Sequence, residues 1–439
     1  MKQQKTRNIS WLLILVMVLS LISPGTKLTA DAKASGTSYS KQLTGVTNYL
    51  KKSVAKPAVG GENDWAVMAN ARAGKTDVNW YRAYYDSVYD TVKKNNSPDL
   101  GSVGNNAKAI ITLTAMGADP TNVAGKNLLQ PLSDYSAIPK DYVTTPVYVL
   151  LALDTKDYKI PESAGAAQTT RENLVNLILS YFDKDTGTLG GEWGGITYIY
   201  YDSMGMALQA LAPYYKTNKN VKSLVDKSLA YLSKYQNSDG TFGGEYDDRV
   251  CSTAQVLCAL SSLGIDTEQD KRFIKNGKSA LDGLLSYAKE DGGIYMEGMN
   301  LLIDCNQAAY ALVSYDRLKN KSNDLYDMTD ASPMFIKLPA TPNIKKVTSP
   351  KKKQIKVTWK KKSGINGYQL EVSSKSDFKK SKTRSYKISK KNTGNTVKKS
   401  LKSNKIFYVR LRTYKTSTVN GRKYTVYSKW SGKKKIRVK

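Results

Sequence analysis

A short helical pattern recurs along the chain and constrains the fold more than any other feature. Its clearest copy runs from Arg249 to Gly264 and reads RVCSTAQVLCALSSLG. Small and apolar residues occupy nearly every position, so this helix lacks a polar face and is expected to lie inside other protein. The run is too short to cross a bilayer, and a glycine ends it. The sequence therefore predicts a buried helix with related helices packed around it.

Six amphipathic helices are each followed by a more apolar one, at a spacing of roughly 40 to 60 residues that is typical of stacked helical hairpins. The predicted amphipathic helices cover residues 40–54, 80–94, 127–135, 171–182, 223–235 and 278–288. The predicted apolar helices cover residues 65–72, 105–116, 145–153, 202–215, 251–264 and 304–317. An open array needs polar capping repeats, and the sequence contains none. We therefore predict a mainly α fold in which residues 40–332 form an (α/α)6 toroid of six hairpins, with the apolar helices inside.

The loops that precede the apolar helices also resemble one another. QNSDGTFGGE (236–245), DKDTGTLGGEW (183–193) and KEDGGIY (289–295) each join a Gly/Asp turn to one large apolar residue, which we expect to plug back into the ring. With the segment STAQVLCAL, this pattern resembles the repeats of the squalene-cyclase, protein-prenyltransferase and transcobalamin superfamily. DWAVMANARAG (64–74) and DPTNVAGKNLL (119–129) resemble a branch found in secreted Gram-positive proteins. The resemblance implies an (α/α)6 toroid without implying one activity, because this superfamily contains both enzymes and binders.

Two activities of that superfamily require residues that the chain lacks. The resemblance places the acid motif of the class II cyclases at residues 249–252, which here read Arg-Val-Cys-Ser. The prenyltransferases hold zinc with Asp, Cys and His, whereas this chain contains no His and its Asp304-Cys305 pair lacks the required spacing. The absence of His also removes Ser-His-Asp and Cys-His catalysis. We therefore expect no metal and no cofactor, and we favour a protein that is not an enzyme, although the sequence does not decide this.

Acidic and aromatic residues collect near the predicted starts of the inner helices. A carbohydrate-active enzyme needs two carboxylates about 5 to 10 Å apart, and the candidates for that role are Asp202, Asp248 and Asp304. An Asp at such a position is, however, more commonly the cap of its own helix. Aromatic rings there suit a sugar or a flat ligand, and equally suit ordinary wall packing. The candidate ligand-binding residues are Trp65, Asp64, Trp193, Tyr198, Tyr201, Asp202, Asp248 and Asp304.

The N-terminal residues 1–32 predict a secretory signal peptide. A basic start precedes an apolar run from Trp11 to Ile22, and small residues up to Ala34 offer cleavage sites. An uncleaved anchor is the alternative, but the apolar run is short for a membrane span. No second long apolar run follows, so we expect a secreted, extracellular protein without a transmembrane segment after cleavage.

Cys251 and Cys305 take the same register at the starts of neighbouring inner helices. Export permits a disulfide between them. Packed helix axes nevertheless lie about 8 to 10 Å apart, whereas a disulfide needs Cα atoms about 5 to 6 Å apart. Both the bonded and the free state stay open at this point.

The C-terminal region differs sharply in charge and in periodicity. Residues 341–439 contain 32 basic and two acidic residues, a net charge of +30, while the rest of the chain has 36 basic and 35 acidic residues. Apolar and polar residues alternate in QIKVTW, GYQLEV and IFYVRLR, which predicts strands. Residues 343–439 resemble a fibronectin type III module, with Trp359 in the second strand, and we expect residues 333–342 to be a linker.

Together these features predict a secreted, cell-surface or wall-associated protein. We expect its toroid to bind a glycan, a small molecule or another partner at the inner-helix mouth. The basic β-sandwich is expected to attach to an anionic cell-envelope polymer through counterion release; surface charge on a soluble spacer is the alternative. Nucleic acid is not an expected partner of an exported protein. The alternatives for the toroid are a carbohydrate-active enzyme and a structural adhesin without a ligand pocket.

Overall fold

A computed structural model of the protein describes residues 39–244 and 247–439. The predicted signal peptide lies outside these residues. Among them, no helix combines the length and apolar character that a membrane span requires. Eleven α-helices occur in the described part: α1 Tyr39–Ser53, α2 Asn63–Arg72, α3 Val78–Asn95, α4 Val103–Ala115, α5 Thr144–Asp154, α6 Arg171–Ser180, α7 Tyr201–Leu211, α8 Lys219–Tyr235, α9 Arg249–Ser262, α10 Ala280–Leu285 and α11 Leu301–Lys319.

Six of these helices form a closed inner ring, which confirms the predicted toroid. In ring order they are α2, α4, α5, α7, α9 and α11, each helix contacts the next, and α11 contacts α2. The sequence explains which helices lie inside. Every residue of α9 from Val250 to Ser261 is buried, whereas the outer helix α8 buries a stripe with helical spacing that includes Val221, Val225 and Leu232.

The inner helices run parallel, so all of them begin at one end of the ring. Gln255 and Gln307 are each the seventh residue of their helix, and their side chains are joined by a hydrogen bond of 2.8 Å. Gln209 of α7 donates to the Gln255 side chain at 2.7 Å. Asn306 near the start of α11 donates to the Glu62 carbonyl, just before α2, at 3.0 Å. We call the end at which the inner helices begin, with the segments that lead into them, the mouth face.

Two of the predicted outer helices are wrong in whole or in part. Residues 127–135 do not form a helix; they contain the 3₁₀ turn Gln130–Leu132 and the start of a second one. Pro131 explains this, because it lacks an N–H group and disfavours a helical residue before it. The last outer helix was predicted over residues 278–288 but is confined to α10. Its cap is Ser279, which forms a capping box with Asp282 and so starts the helix two residues later.

The C-terminal region is a sandwich of two antiparallel sheets. One sheet has the order β5-β6-β9; the other has the order β11-β10-β7-β8, with β12 also paired to β10. Residues from both sheets share one core, in which Val357 of the first sheet lies with Leu370 and Leu411 of the second. The bounds of these strands are β5 Ile344–Thr348, β6 Ile355–Trp359, β7 Gly367–Ser373, β8 Thr383–Ser389, β9 Gly394–Val397, β10 Ile406–Val419, β11 Arg422–Tyr427 and β12 Lys434–Arg437.

Four shorter strands form two hairpins within the toroid. The first hairpin, β1 Gly190–Trp193 with β2 Ile196–Ile199, leads directly into the inner helix α7. Gly194 and Gly195 form its turn with φ values of 59° and 77°, a conformation that favours glycine. The second, β3 Ile274–Lys275 with β4 Lys278–Ser279, precedes α10. The first hairpin therefore belongs to the mouth face.

Residues 324–336 close the end of the ring opposite the mouth face, and we call them the floor segment. The Met328 amide donates to the Thr155 carbonyl, just beyond α5, at 2.8 Å. The Met334 amide donates to the Met116 carbonyl, just beyond α4, at 3.0 Å. Both acceptors belong to C-terminal ends of inner helices. The floor segment therefore provides hydrogen-bond donors for carbonyl groups at the ends of inner helices and covers the base of the toroid.

The segment 333–342, predicted as a linker, connects the toroid to the β-sandwich, and part of it is packed between them. Phe335 is buried, stacks on Tyr85 of α3 with ring centroids 4.7 Å apart, and meets Tyr424 of β11 edge-on at 5.1 Å. Arg422 at the tip of the β10–β11 hairpin forms an ion pair with Asp119 of the toroid. The β-sandwich is thus packed onto the toroid through an aromatic contact.

Candidate functional site

Two of the acidic residues predicted at the mouth face act as local backbone acceptors. Asp248 accepts from the Cys251 N–H at 3.0 Å and caps α9. Asp202 accepts from the Ser203 N–H at 2.6 Å. Burial raises the pKa of Asp202 above its usual range, and the neighbouring carboxyl groups of Asp247 and Asp248 add to the rise. Capping, the common role of Asp at a helix start, is therefore observed for Asp248.

Asp304 is the carboxyl group whose chemistry is most altered. It is fully buried, and its Oδ2 accepts from the Met296 N–H at 2.9 Å. The Cys251 thiol donates to its Oδ1 at 3.8 Å. Burial raises the pKa of Asp304 to about 7, and the nearby Asp248 carboxyl adds to the rise. The buried Asp304 carboxyl therefore holds its proton more tightly than an exposed aspartate does.

This buried carboxyl group predicts a pH-dependent stability. Because its folded pKa lies above the unfolded value of about 3.9, Asp304 stabilises the fold fully below pH 4 and loses that contribution as the pH rises through 7. We expect Asp304→Asn to remove this loss, so the free energies of unfolding of the native and variant proteins diverge by roughly 4 kcal/mol between pH 4 and pH 8, at about 1.4 kcal/mol for each of about three pKa units. Urea unfolding at several pH values measures the difference, and a constant difference across that range contradicts the assignment.

Asp248, Cys251 and Asp304 come close enough to hold a metal ion. One possible ligand atom from each residue lies within 4.8 Å of the other two. No other group of three such residues was found among residues 39–244 and 247–439. Burial, with the nearby Asp248 and Asp304 carboxyl groups, raises the pKa of the Cys251 thiol far above its usual range. A metal binds the thiolate, so this environment disfavours a metal-ligating cysteine. The absence of a metal stays a prediction.

The disulfide considered between Cys251 and Cys305 is not formed. All three cysteines are free and buried. The two thiols have different partners, because Cys251 donates to Asp304 while Cys305 donates to the Ile294 carbonyl at 3.5 Å. Helix packing has placed the two thiols against different acceptors.

Trp65 and Asp64, two predicted ligand-binding residues, lie inside the toroid wall. The Trp65 ring contacts Tyr148 at 5.2 Å and Tyr310 at 5.8 Å between centroids. Tyr148 belongs to α5, which is not a ring neighbour of α2, so these rings meet across the interior. Asp64 is fully buried and accepts from the Tyr84 hydroxyl at 2.6 Å. Both side chains are buried, and the three aromatic rings pack together in the interior; binding of a ligand by Trp65 or Asp64 stays a prediction.

The remaining aromatic candidates divide between packing and exposure. Tyr201 is half-buried and packs on Phe242, with ring centroids 6.2 Å apart. Tyr198, on β2, is exposed. The side chain of Trp193 lies outside the described part of the structure. Phe242, the apolar residue of the loop before α9, is fully buried. The prediction that this loop residue plugs back into the ring is therefore confirmed.

Sequence reasoning missed most of the exposed apolar residues of the mouth face. Eight large hydrophobic side chains are exposed in the described residues, and six of them lie in segments that lead into inner helices or at the first residue of one. They are Tyr142, Ile196, Tyr198, Tyr200, Met299 and Leu301; the other two are Tyr235, the last residue of the outer helix α8, and Leu338. Tyr142 is 77% exposed. The sequence signal that could have identified them is an apolar residue just before an inner helix that does not belong to the Gly/Asp turn pattern.

Comparisons with known proteins do not identify a family for this chain. No family model matches the chain, and no curated protein matches it. A solved structure described as a possible member of the GH105 family from Salmonella enterica subsp. enterica serovar Paratyphi A str. ATCC 9150 is similar, with 13% identity and a TM-score of 0.35. The match covers 69% of this chain and 97% of that chain. At this level of similarity it supports no inference about activity.

Proposed function

We propose that this chain is an exported binding protein rather than an enzyme. In this proposal the toroid binds a glycan or another small molecule at the mouth face. The basic β-sandwich attaches the protein to an anionic polymer of the cell envelope. The N-terminal signal pattern supports export, and the net charge of +30 in residues 341–439 supports attachment.

One observation carries the binding part of the proposal. Exposed apolar side chains are common on proteins when they are scattered singly, but a concentration of them on one face indicates an interaction site. Here six of the eight exposed large hydrophobic side chains in the described residues lie on the mouth face. Tyr198 and Tyr200, on and beside the β1–β2 hairpin, offer aromatic faces that suit stacking against a sugar ring or a flat ligand.

The state of the acidic residues supports binding over catalysis. Both oxygens of Asp304 are occupied, by the Met296 N–H and the Cys251 thiol, and the side chain is fully buried. Asp248 caps its own helix. A glycosidase needs two carboxyl groups that reach opposite sides of one glycosidic bond. These groups face the protein, and the interior behind them is filled by the rings of Trp65, Tyr148 and Tyr310.

The strand order supports the fibronectin type III-like assignment of the C-terminal region. A three-stranded sheet packs on a larger sheet, and Trp359 lies in the second strand of the sandwich, against Tyr368 with ring centroids 5.2 Å apart. Strand β6 turns Ile355 and Val357 into the core, which leaves Lys356 between them exposed on the outside. We propose that this module presents positive charge to a polyanionic surface.

A binding screen with the full chain tests the proposal. We expect a glycan or small-molecule screen to give ligands whose affinity falls about 30-fold in Tyr198→Ala/Tyr200→Ala, because a central aromatic contact contributes about 2 kcal/mol. The matched control is Leu338→Ala, which removes an exposed apolar side chain away from the mouth face. Absence of any ligand, or equal affinities of both variants, contradicts the proposal and favours the structural adhesin.

A carbohydrate-active enzyme is the second candidate, favoured by the proximity of Asp248 and Asp304 and by the raised pKa of Asp304. A raised carboxyl pKa is what a general acid requires. The same ligands are therefore incubated with the native protein, Asp202→Asn and Asp304→Asn, and new reducing ends are counted. Turnover that disappears in either variant establishes the enzyme, and bound but intact ligand supports the binder.

Attachment by charge predicts a strong dependence on salt. We expect retention of the full chain on isolated cell walls to collapse when salt is raised from 0.1 M to 1 M, because the screening length falls from about 10 Å to about 3 Å. A sedimentation assay of wall-bound protein measures this. Retention that stays unchanged at 1 M salt contradicts attachment through counterion release.

A further inference from the structure

A lysine-lined cavity of about 350 Å³ opens in the β-sandwich between three separate stretches of chain. They are the β6–β7 loop, the turn after β8, and β10. A volume of that size lies at the lower end of the range for small-ligand pockets. We call it the lysine cavity, and it is lined by Lys361, Lys362, Lys390, Lys391 and Lys415 together with Ser363, Gly364, Ile365 and Asn366.

The charge of this cavity is not balanced within the protein. Five lysines line it and no acidic residue does. None of these ammonium groups forms an ion pair with any residue of the described part. The two acidic residues of the region are engaged elsewhere, because Glu371 pairs with Arg410 at 2.7 Å and Asp377 accepts from the Lys379 N–H at 3.0 Å. Repulsion between lysines that share one concavity destabilises the fold, and a multivalent anion relieves it.

The lining also offers neutral donors. The side-chain oxygen of Asn366 accepts a hydrogen bond from the Thr416 N–H at 2.8 Å. The side-chain NH2 group of Asn366 can therefore donate to a bound anion. Within residues 247–439, the backbone N–H groups of Ser363 and Gly364 have no hydrogen-bond acceptor. Gly364 has a φ of 66°, which makes the tight turn that returns the loop toward β7. Ammonium groups and amide donors around one concavity are the elements of an anion site.

We propose that the lysine cavity is a specific site for the phosphate groups of a polymer whose backbone contains phosphate; this rests on the proposed attachment to an anionic surface. Lysine is a compact point charge suited to phosphate oxygens, whereas planar carboxylates are matched best by the fork of arginine. No arginine lines the cavity. A phosphate repeat unit inside the cavity would give the basic module a preferred register on the polymer.

The test compares two variants of equal charge in the full chain. Lys361→Gln/Lys391→Gln removes two positive charges from the cavity. Lys398→Gln/Lys399→Gln removes two exposed charges beyond the far end of β9. Binding of a short-chain polyphosphate is measured by calorimetry at physiological salt, with inorganic phosphate and a carboxylate polysaccharide of equal charge as further probes. Thermal melts confirm that both variants are folded.

We expect the cavity variant to lose at least tenfold in polyphosphate affinity and the control variant to lose less than threefold. We also expect the native chain to bind polyphosphate more tightly than the carboxylate polymer. Tight binding of inorganic phosphate alone would assign the cavity to the free anion and overturn the polymer assignment. Equal losses in the two variants, or equal affinity for both polymers, overturn the site while leaving charge-driven attachment intact. A native chain that binds neither polymer overturns the proposed attachment itself.

Discussion

Replacing Arg72 by Met is expected to lower the free energy of unfolding by about 2 to 4 kcal/mol, because four hydrogen bonds of a buried guanidinium are lost and the Leu325 carbonyl, in a buried residue, loses its charged donor. Arg72 ends α2, is buried, and donates to the Leu325 carbonyl at 2.8 Å. Its guanidinium also reaches the carbonyl groups of Asp324 and Asp327 and the carboxylate of Asp330. One side chain thus fastens the floor segment to the ring.

The matched control for that experiment is Arg82→Met. Arg82 pairs with Asp86 at 2.8 Å on the outer helix α3, where both side chains are partly exposed to solvent and both also contact the Asn420 side chain. An exposed pair of this kind contributes about 0 to 1 kcal/mol. Urea unfolding of both variants gives the comparison. Similar losses in Arg72→Met and Arg82→Met would show that the floor segment does not depend on the buried network.

Trp65→Ala is expected to cost about 3 to 5 kcal/mol of unfolding free energy, the usual range for removing a large buried aromatic side chain. The reason is the cavity left between Tyr148 and Tyr310, whose rings lie on two other inner helices. We expect Trp65→Phe to recover part of the loss. The affinity of the folded fraction for a mouth-face ligand should stay within about threefold of the native value.

The same measurement separates two roles for Trp65. If Trp65 fills the ring interior, Trp65→Ala lowers the free energy of unfolding and leaves ligand affinity nearly unchanged. Its place near the start of α2 predicted instead that Trp65 binds a ligand. In that case Trp65→Ala lowers ligand affinity with little effect on the free energy of unfolding. Calorimetric binding at a temperature well below the unfolding midpoint, together with urea unfolding, distinguishes these outcomes. A loss of affinity without a loss of stability contradicts the structural role.

The inner ring could be predicted from the sequence because its helices are apolar around most of their circumference. The pattern of α9 requires burial from Val250 to Ser261 whatever its neighbours are. The outer helices depend on weaker signals. The stretch 127–135 carries an amphipathic pattern, but Pro131 interrupts the backbone hydrogen bonding that a helix needs. Hydrophobic periodicity indicates which face of a helix would be apolar. It does not indicate whether the backbone can form the hydrogen bonds of each helical turn.

The candidate site was predicted less completely, because side-chain direction depends on tertiary packing. The capping role of Asp248 follows from its place before α9 and is observed. Asp64 has a similar place in sequence, yet it turns inward to the Tyr84 hydroxyl of the neighbouring outer helix. The exposure of Tyr200 depends on the β1–β2 hairpin, which two consecutive glycines allow but which periodicity alone does not reveal.

The central claim is that the mouth face is the surface on which a ligand binds. Hydrogen–deuterium exchange of the full chain, with and without a ligand from the binding screen, tests it most directly. The account predicts slower exchange in residues 190–201 and 296–304, which carry the exposed apolar side chains beside α7 and α11. Protection confined to the outer helices, to the floor segment or to the β-sandwich would contradict it.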